Sequence, residues 1–405
     1  MVYKVRTKCA VCENSNLTTI LDYGTVPLAG HFPAANELEK EELFPLEILL
    51  CERCLLVQTD SVIDADKLFR DYRYMSSIGL AGHFKSVAQY LKDKFNLTET
   101  SRVVEIGSND GVLLEPLKAL GINAIGFEPA VNISKIATDK GCWVVNDYFS
   151  EENAQKYLKA GSVDLMVSNN CFAHIDDIKS IVRGVKYALK PDGHFVIEVS
   201  YLPDVVSKLQ YDNIYHEHIY YYSLLSLHWL FSSEFDMTIV DCEPISIHSG
   251  SIRVVVKNAR EPEPENVKHS IVEEITKGML DPTWYSHFGR RVTEHSRMVR
   301  NKISELKSQG AKIAGYGASG RANMLCNVAN LNMTDIDYIV DESPERAGRF
   351  IAGKSIPIVG PHMLEANPPD YIVLFAWNFA DMIKKKLEGR GFKYITFFPE
   401  YKVSE

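Results

Sequence analysis

Apolar residues at Phe84, Val87 and Leu91 recur at helical spacing. The chain then alternates short apolar runs with amphipathic ones, the runs being RVVEIG, NAIGFE, CWVVN, VDLMVSN and HFVIEVS. Strands separated by helices predict a parallel sheet with helices on both faces. A helical stretch near Leu224 to Phe231 precedes MTIVDCEPISIHSGSIRVVVKN, two strand-like runs around a turn-rich middle that suit an antiparallel pair at a sheet edge. REPEPENVKHS, rich in Pro and charge, reads as a linker or exposed turn that ends this central domain. A long polar helix from about Trp284 to Lys307 leads into KIAGYGASGRANMLCN, and DYIVD, YIVLFAW and KYITFFP complete a second, smaller α/β unit. The first segment shows little helical periodicity. The expected division is 1–75, 76–260 and 261–405.

A chain of 405 residues suggests two or three domains. With 46% apolar and 24% charged residues it belongs among packed globular proteins. A net charge of -9 argues against a phosphate-backbone binder, so nucleic acid is not expected as a partner. The N-terminus lacks an apolar signal region and no run reaches bilayer length, which predicts a cytoplasmic monomer with no membrane association. In that compartment the eight cysteines stay reduced and serve as metal ligands, catalytic groups or core residues.

Four of them form two pairs, Cys9-x-x-Cys12 and Cys51-x-x-Cys54. Each pair is a knuckle that presents two thiolates to one tetrahedral Zn²⁺. Four thiolates leave no open position for water or substrate, so the zinc is expected to be structural, stapling a segment too small to hold its own core.

The stretch Val103 to Gly111 ends an apolar strand on Glu105 and follows it with Gly107, Ser108, Asn109, Asp110 and Gly111. Glycines at 107 and 111 let a ligand approach the backbone. About 20 residues on, the next strand ends on Glu128 and Pro129, where a carboxylate accepts from two ribose hydroxyls by the logic of nucleotide-binding sheets. The spacing E-x-G-x-x-x-G resembles the first motif of class I methyltransferases, which bind S-adenosylmethionine. Asn146, Asp147, Tyr148 and Phe149 end a third strand, in position for adenine. Ser168, Asn169 and Asn170 end a fourth, on the methionine side. Ligands bind beyond the carboxyl ends of such strands, so these places converge on one crevice.

The run Tyr211 to Tyr222 packs acids, imidazoles and phenols together after the fifth strand. Its side chains either line a domain interface or perform acid/base chemistry, with Glu217 orienting an imidazole. A metal site at His216-Glu217-His218 is disfavoured because adjacent residues point in different directions. His174, after the fourth strand, faces the same crevice.

The C-x-x-C pairs, EIGSNDGVLL, FEPA, NNCFAHIDD, the YHEH run and GYGASGRANMLCN together resemble the deoxysugar C-methyltransferases, which methylate carbon 3 of nucleotide-linked 4-keto-6-deoxyhexoses. The resemblance runs in order along essentially the whole chain. It implies an N-terminal zinc-binding module, a central class I methyltransferase domain of Rossmann type, and a smaller C-terminal Rossmann-like domain. It places Tyr215, Glu217 and His218 in the active site with His174 beside them. It also points to the segment Tyr72 to Ser77, leaving open whether Tyr72 or Tyr74 is the family tyrosine, Tyr74 being the catalytic candidate and Tyr72, Ser76 and Ser77 substrate contacts.

Gly315 to Arg321 is a G-x-G-x-x-G between strand and helix, which alone would indicate NAD. The resemblance instead makes this unit a holder of the sugar nucleotide, with Tyr316, Gly317, Ala318, Ser319, Gly320 and Arg321 at its diphosphate. The expected chemistry is removal of the C3 proton by His218, directly or through Tyr215, then attack of the resulting enolate carbon on the methyl donor. The competing readings are O- or N-methylation of a sugar or small metabolite, an NAD-dependent sugar-nucleotide oxidoreductase, and a noncatalytic zinc scaffold.

Overall fold

The computed structural model describes residues 2–70, 72 and 75–404. The runs RVVEI and VDLMVSN become strands Arg102–Ile106 and Val163–Asn169, almost wholly buried on both faces, as a helix-covered parallel sheet requires. The seven-stranded central sheet runs in the order Thr238–Ile245, Ser251–Lys257, Leu189–Ser200, Val163–Asn169, Arg102–Ile106, Asn123–Phe127, Trp143–Val145. Pairing from Leu189–Ser200 through Trp143–Val145 is parallel, whereas Ser251–Lys257 is antiparallel to both neighbours. Ser200 pairs with Ser251, so the hairpin joining the last two strands turns at the carboxyl end of the parallel strands.

The N-terminal segment, where no helical period is legible, folds as a sheet of Leu17–Val26, Phe44–Cys51 and Val57–Thr59. Its fourth strand is Tyr220–Tyr221, contributed from far along the chain. That pairing joins the module to the centre through backbone hydrogen bonds, and the core is shared accordingly. The four knuckle cysteines sit in one apolar cluster with Val104, Phe172 and Tyr222.

Pro282–Ser308 is a 27-residue helix started by Asp281, whose side chain accepts the Thr283 N–H, with Pro282 in the first turn. Tyr285, Phe288 and Val292 are buried on it, as are Val299 and Ile303. At Gly289 the helix passes so close to the N-terminal sheet that a Cβ would stand 2.1 Å from the Ile20 carbonyl oxygen. The C-terminal sheet follows, ordered Phe350–Ile351, Ile356–Val359, Tyr338–Val340, Ile313–Tyr316, Tyr371–Leu374, Lys393–Thr396, Lys402–Ser404.

The linker expected at REPEPENVKHS is only half right. Helix Glu265–Thr276 begins inside it, buries Val267, and uses Glu274 to accept the Leu224 and Leu225 N–H groups at 2.7 and 2.8 Å. The capping carboxylate lies beyond the charged run, on the helix that the run leads into. Among the described residues, no helix is long and apolar enough to cross a membrane.

Candidate active site

The two knuckles fold alike. Cys9 and Cys51 carbonyls accept the Glu13 and Leu55 N–H groups at 3.1 and 2.9 Å, and Glu13 and Leu55 both take left-handed backbone, φ 58° and 60°. This turns all four sulfurs inward to within 4.8 Å of one another, all four residues buried. Cys9 and Cys54 Sγ lie 3.4 Å apart, as do Cys12 and Cys51 Sγ. A tetrahedral Zn²⁺ with Zn–S of about 2.3 Å needs sulfurs about 3.8 Å apart, so the donor set and its size fit zinc with every position filled. The only such group among the described residues is this one, and His216-Glu217-His218 forms none.

The crevice lies beyond the carboxyl ends of the parallel strands. Gly107 and Gly111 have φ of 72° and 81°. A Cβ at Gly107 would collide with Cys171 Sγ, and one at Gly111 would crowd Ala137 and Cys142. The glycines are therefore demanded by turn conformation and packing, and ligand approach is not their only reason. Glu105 Oε2, Ser108 Oγ, Asp110 Oδ1, Asn169 Oδ1 and Nδ2, and Asn170 Nδ2 are buried with no hydrogen-bond partner among the described residues. Native proteins rarely leave so many polar atoms unpaired in one place unless a ligand pairs them. The set, acids with amides and a hydroxyl, fits a cation-bearing polar ligand such as S-adenosylmethionine. Burial, with Glu128 and Asp110 nearby, holds the Glu105 carboxyl well above its ordinary range.

Glu128 accepts the Asn109 N–H at 2.8 Å on Oε2 and the Ala130 N–H at 2.9 Å on Oε1. It thereby fixes the glycine turn as well as facing the crevice. The Pro129 carbonyl accepts from Asn146 Nδ2 at 3.2 Å, and the Glu128 carbonyl accepts from the same amide at 2.8 Å. Asn146 therefore spends its donors on the backbone. Asp147 accepts the Tyr148 N–H, and the Tyr148 hydroxyl donates to Asp66 at 3.0 Å, reaching the N-terminal module. Phe149 corrects the expectation: it is a core residue packed edge-on against Phe127 at 5.1 Å, because the strand end turns it inward.

The YHEH run is split between two jobs. His216 is buried, and its Nε2 donates to the Pro45 carbonyl at 3.0 Å. His218 turns the other way: its ring lies 4.0 Å from that of Tyr215 and 4.9 Å from that of His174, centroid to centroid. His218 Nδ1 bonds the Asn213 carbonyl at 2.7 Å. A carbonyl only accepts, so the proton sits on Nδ1 and Nε2 keeps its lone pair. Burial and the neighbouring His174 hold the His218 pKa well below the ordinary value, and burial lowers His174 to about 4. Both imidazoles are neutral. The Glu217 carboxylate is engaged elsewhere, and it is the Glu217 backbone that bonds His174. The carboxylate bonds the Gly30 N–H and the Tyr72 hydroxyl, and burial raises its pKa to about 7. Tyr72 is thereby placed at the site, its ring beside Phe69, which touches His174 edge-on at 5.9 Å. Tyr74 lies outside the described residues. Ser76 gives its N–H to Asn109 at 2.9 Å, and Ser77 opens the helix Ser77–Lys94.

At the C-terminal turn the amides offered to a diphosphate are largely taken. Gly317 N–H goes to Val340, Ser319 N–H to Gly317, and Ala318 N–H to Asp341 Oδ2 at 2.8 Å, while Ser319 caps its own helix. Tyr316 is buried and donates to Glu342, and Gly320 packs on Ala29 of the N-terminal module. Of this set, Arg321 alone faces the crevice. It bonds Gln210 and the His248 carbonyl at 3.4 and 3.3 Å and lies over Trp377, and its Nη1 stands 3.8 Å from Asp212 with no hydrogen bond among the described residues. Trp377, joined at 2.8 Å to Asp212 of the Tyr211 to Tyr222 run, and the Gly30 loop were invisible in sequence because their partners lie far along the chain.

Three family models match in order: "Putative zinc binding domain" at residues 9–69, "Methyltransferase domain" at 82–241 and "C-methyltransferase C-terminal domain" at 246–399. The C-methyltransferase NovU of Streptomyces niveus is 32% identical over 406 residues, 98% of this chain and 96% of the relative. The chain belongs to the C-methyltransferase family. It is a C-methyltransferase dependent on S-adenosylmethionine, with a zinc-binding N-terminal domain. Solved structures similar to it include S-adenosylmethionine-dependent methyltransferases of Clostridium acetobutylicum (14% identity, 45% of this chain and 92% of that one, TM-score 0.36) and Archaeoglobus fulgidus (17%, 43% and 94%, 0.36).

Proposed function

We propose that this C-methyltransferase acts on carbon 3 of a nucleotide-linked 4-keto-deoxysugar through an enolate. The observation that carries the reading is the neutral His218 imidazole, its Nδ1 proton fixed on the Asn213 carbonyl and its free Nε2 in a cluster with Tyr215 and His174. Carbon becomes nucleophilic only when a proton is removed, and a ketone on the adjacent carbon makes that removal feasible. His218 Nε2 takes the C3 proton, directly or through the Tyr215 hydroxyl, and the C–H electrons pass into the enolate. Bound S-adenosylmethionine supplies an electrophilic methyl group, which the C3 carbanion accepts as the carbon–sulfur bond breaks.

The chain's own residues do the remaining work. Glu105, Ser108, Asp110, Asn169 and Asn170 hold the donor, with Glu128 toward its ribose. Tyr72 and Ser76 join the site through Glu217 and Asn109. Arg321, whose Nη1 makes no hydrogen bond among the described residues, is the group offered to the acceptor's diphosphate. The test is turnover of dTDP-, GDP- and CDP-linked 4-keto-6-deoxyhexoses, with mass detection and the methyl position assigned by NMR. A methyl on C3 is expected. Methylation of an oxygen or nitrogen instead, with no new carbon–carbon bond, overturns the reading.

A further inference from the structure

His248 sits at the end of the hairpin between Thr238–Ile245 and Ser251–Lys257, on the crevice side of the central sheet. Three successive residues there have positive φ: His248 at 51°, Ser249 at 72° and Gly250 at 137°. Only the last is a glycine, so two side-chain-bearing residues take a backbone conformation that costs each of them energy. Such strain persists only where the surroundings impose it, and it concentrates at functional sites.

Here the imposing contacts are visible. The Ser249 carbonyl accepts from Lys208 Nζ at 2.7 Å and Gln210 Nε2 at 3.0 Å, and the His248 carbonyl accepts from Arg321. Gly250 lies so close to Asp204 that a Cβ would stand 2.1 Å from its carboxylate oxygen. Below the turn, Arg253 and His83 grip the buried Glu198 carboxylate at 2.7 and 2.9 Å, fixing the strand from which the loop emerges. The hydrogen bonds that hold the turn itself fall on its backbone carbonyls, and the imidazole is the part left over.

That imidazole is mostly buried, yet it makes no side-chain hydrogen bond among the described residues, and its nitrogens are not among the sealed-off polar atoms. The titratable groups around it are Arg321, His83, Glu198, His174 and His218. We propose that His248 is an acceptor-binding residue, its imidazole donating a hydrogen bond to an oxygen of the methyl acceptor. It is suited to hold rather than to move a proton. No partner fixes its tautomer, unlike His218, and burial lowers its pKa to about 4, which keeps it a neutral donor throughout the working range.

The inference rests on the keto-sugar reading above, and the experiment separates the two. Wild-type, H248F and H248Q enzymes are titrated with S-adenosylmethionine by calorimetry and assayed with dTDP-4-keto-6-deoxyglucose. H248F is expected to lose tenfold or more in kcat/KM, chiefly through KM, with donor affinity within twofold of wild type. H248Q, which keeps an N–H donor, should recover much of the loss. Equal kcat/KM in H248F and wild type overturns the inference while leaving the keto-sugar reading in place. A parallel loss of donor affinity or of melting temperature in H248F makes the residue structural, which also overturns it. Wild-type enzyme that neither binds nor methylates any keto-sugar nucleotide fails the reading itself, and the inference with it.

Discussion

Asp341 Oδ2 accepts the backbone N–H of Ala318 at 2.8 Å. In a dinucleotide-binding turn, amides at this place point at the ligand's diphosphate. Here the chain's own carboxylate fills the position, and its other oxygen accepts the Ser343 N–H at 2.9 Å. The N-terminal module closes the remaining approach, with Asn323 donating to the Ala29 carbonyl at 3.3 Å.

NAD is therefore expected to leave the melting temperature unchanged at millimolar concentration. Asp341→Ala should destabilise the protein by about 1.5–3 kcal/mol, the range for hydrogen bonds to a charged group, without altering donor affinity. Urea denaturation and calorimetry measure the two. NAD binding in the micromolar range would show that the turn opens.

The zinc site shares its apolar cluster with Tyr222 and with Tyr220, whose strand closes the N-terminal sheet. One zinc per chain is expected on elemental analysis. Cys51→Ser should lower the folded yield sharply, while the folded fraction binds S-adenosylmethionine as wild type does. A metal-free protein with an unaltered unfolding transition would remove zinc from the account.

The central sheet was legible because its parallel strands are apolar runs, most of them ending at an acid, an amide or a glycine, and that punctuation is local. The hairpin Phe350–Ile351 with Ile356–Val359 was not, because two-residue and four-residue strands carry too little pattern. At the site, His218, Tyr215 and His174 could be read as crevice residues. The separate fates of His216, Glu217 and His218 could not: they depend on Pro45, Gly30 and Asn213, which only the folded chain brings alongside. Phe149 was misplaced for a similar reason, since nothing in its neighbours shows which way a strand end turns.

Glu217 supplies a pH test. Burial raises its pKa to about 7, against the Gly30 N–H and the Tyr72 hydroxyl, which pull it down. A carboxyl raised in the fold favours the protonated state. Its contribution to stability is complete below the unfolded value, about 4.3, and is lost as pH rises toward 7. Denaturant midpoints of wild type relative to Glu217→Gln should fall between pH 5 and pH 8 and level off above. A flat difference would mean that Glu217 ionises in the fold as it does in the unfolded chain.

The mechanistic prediction separates proton abstraction from methyl transfer. Enolisation needs only the ketone and the base, so the enzyme incubated in D₂O with a 4-keto sugar nucleotide and S-adenosylhomocysteine should exchange the C3 proton without methylating it. His218→Asn removes the Nε2 lone pair that the Asn213 carbonyl keeps available, and Tyr215→Phe removes the hydroxyl on the ring 4.0 Å away. Exchange should fall about 10²–10⁴-fold in whichever variant lacks the base, and less in the other. Donor affinity should hold in both, because neither residue belongs to the unpaired polar set around Glu105 and Asn169. If both variants exchange at the wild-type rate, the base is another group, and His174 follows, its ring 4.9 Å from His218 and its Nδ1 without a hydrogen bond among the described residues. If wild-type enzyme methylates carbon yet never exchanges the proton without the donor, abstraction and transfer are one step, and the free enolate drops out of the mechanism.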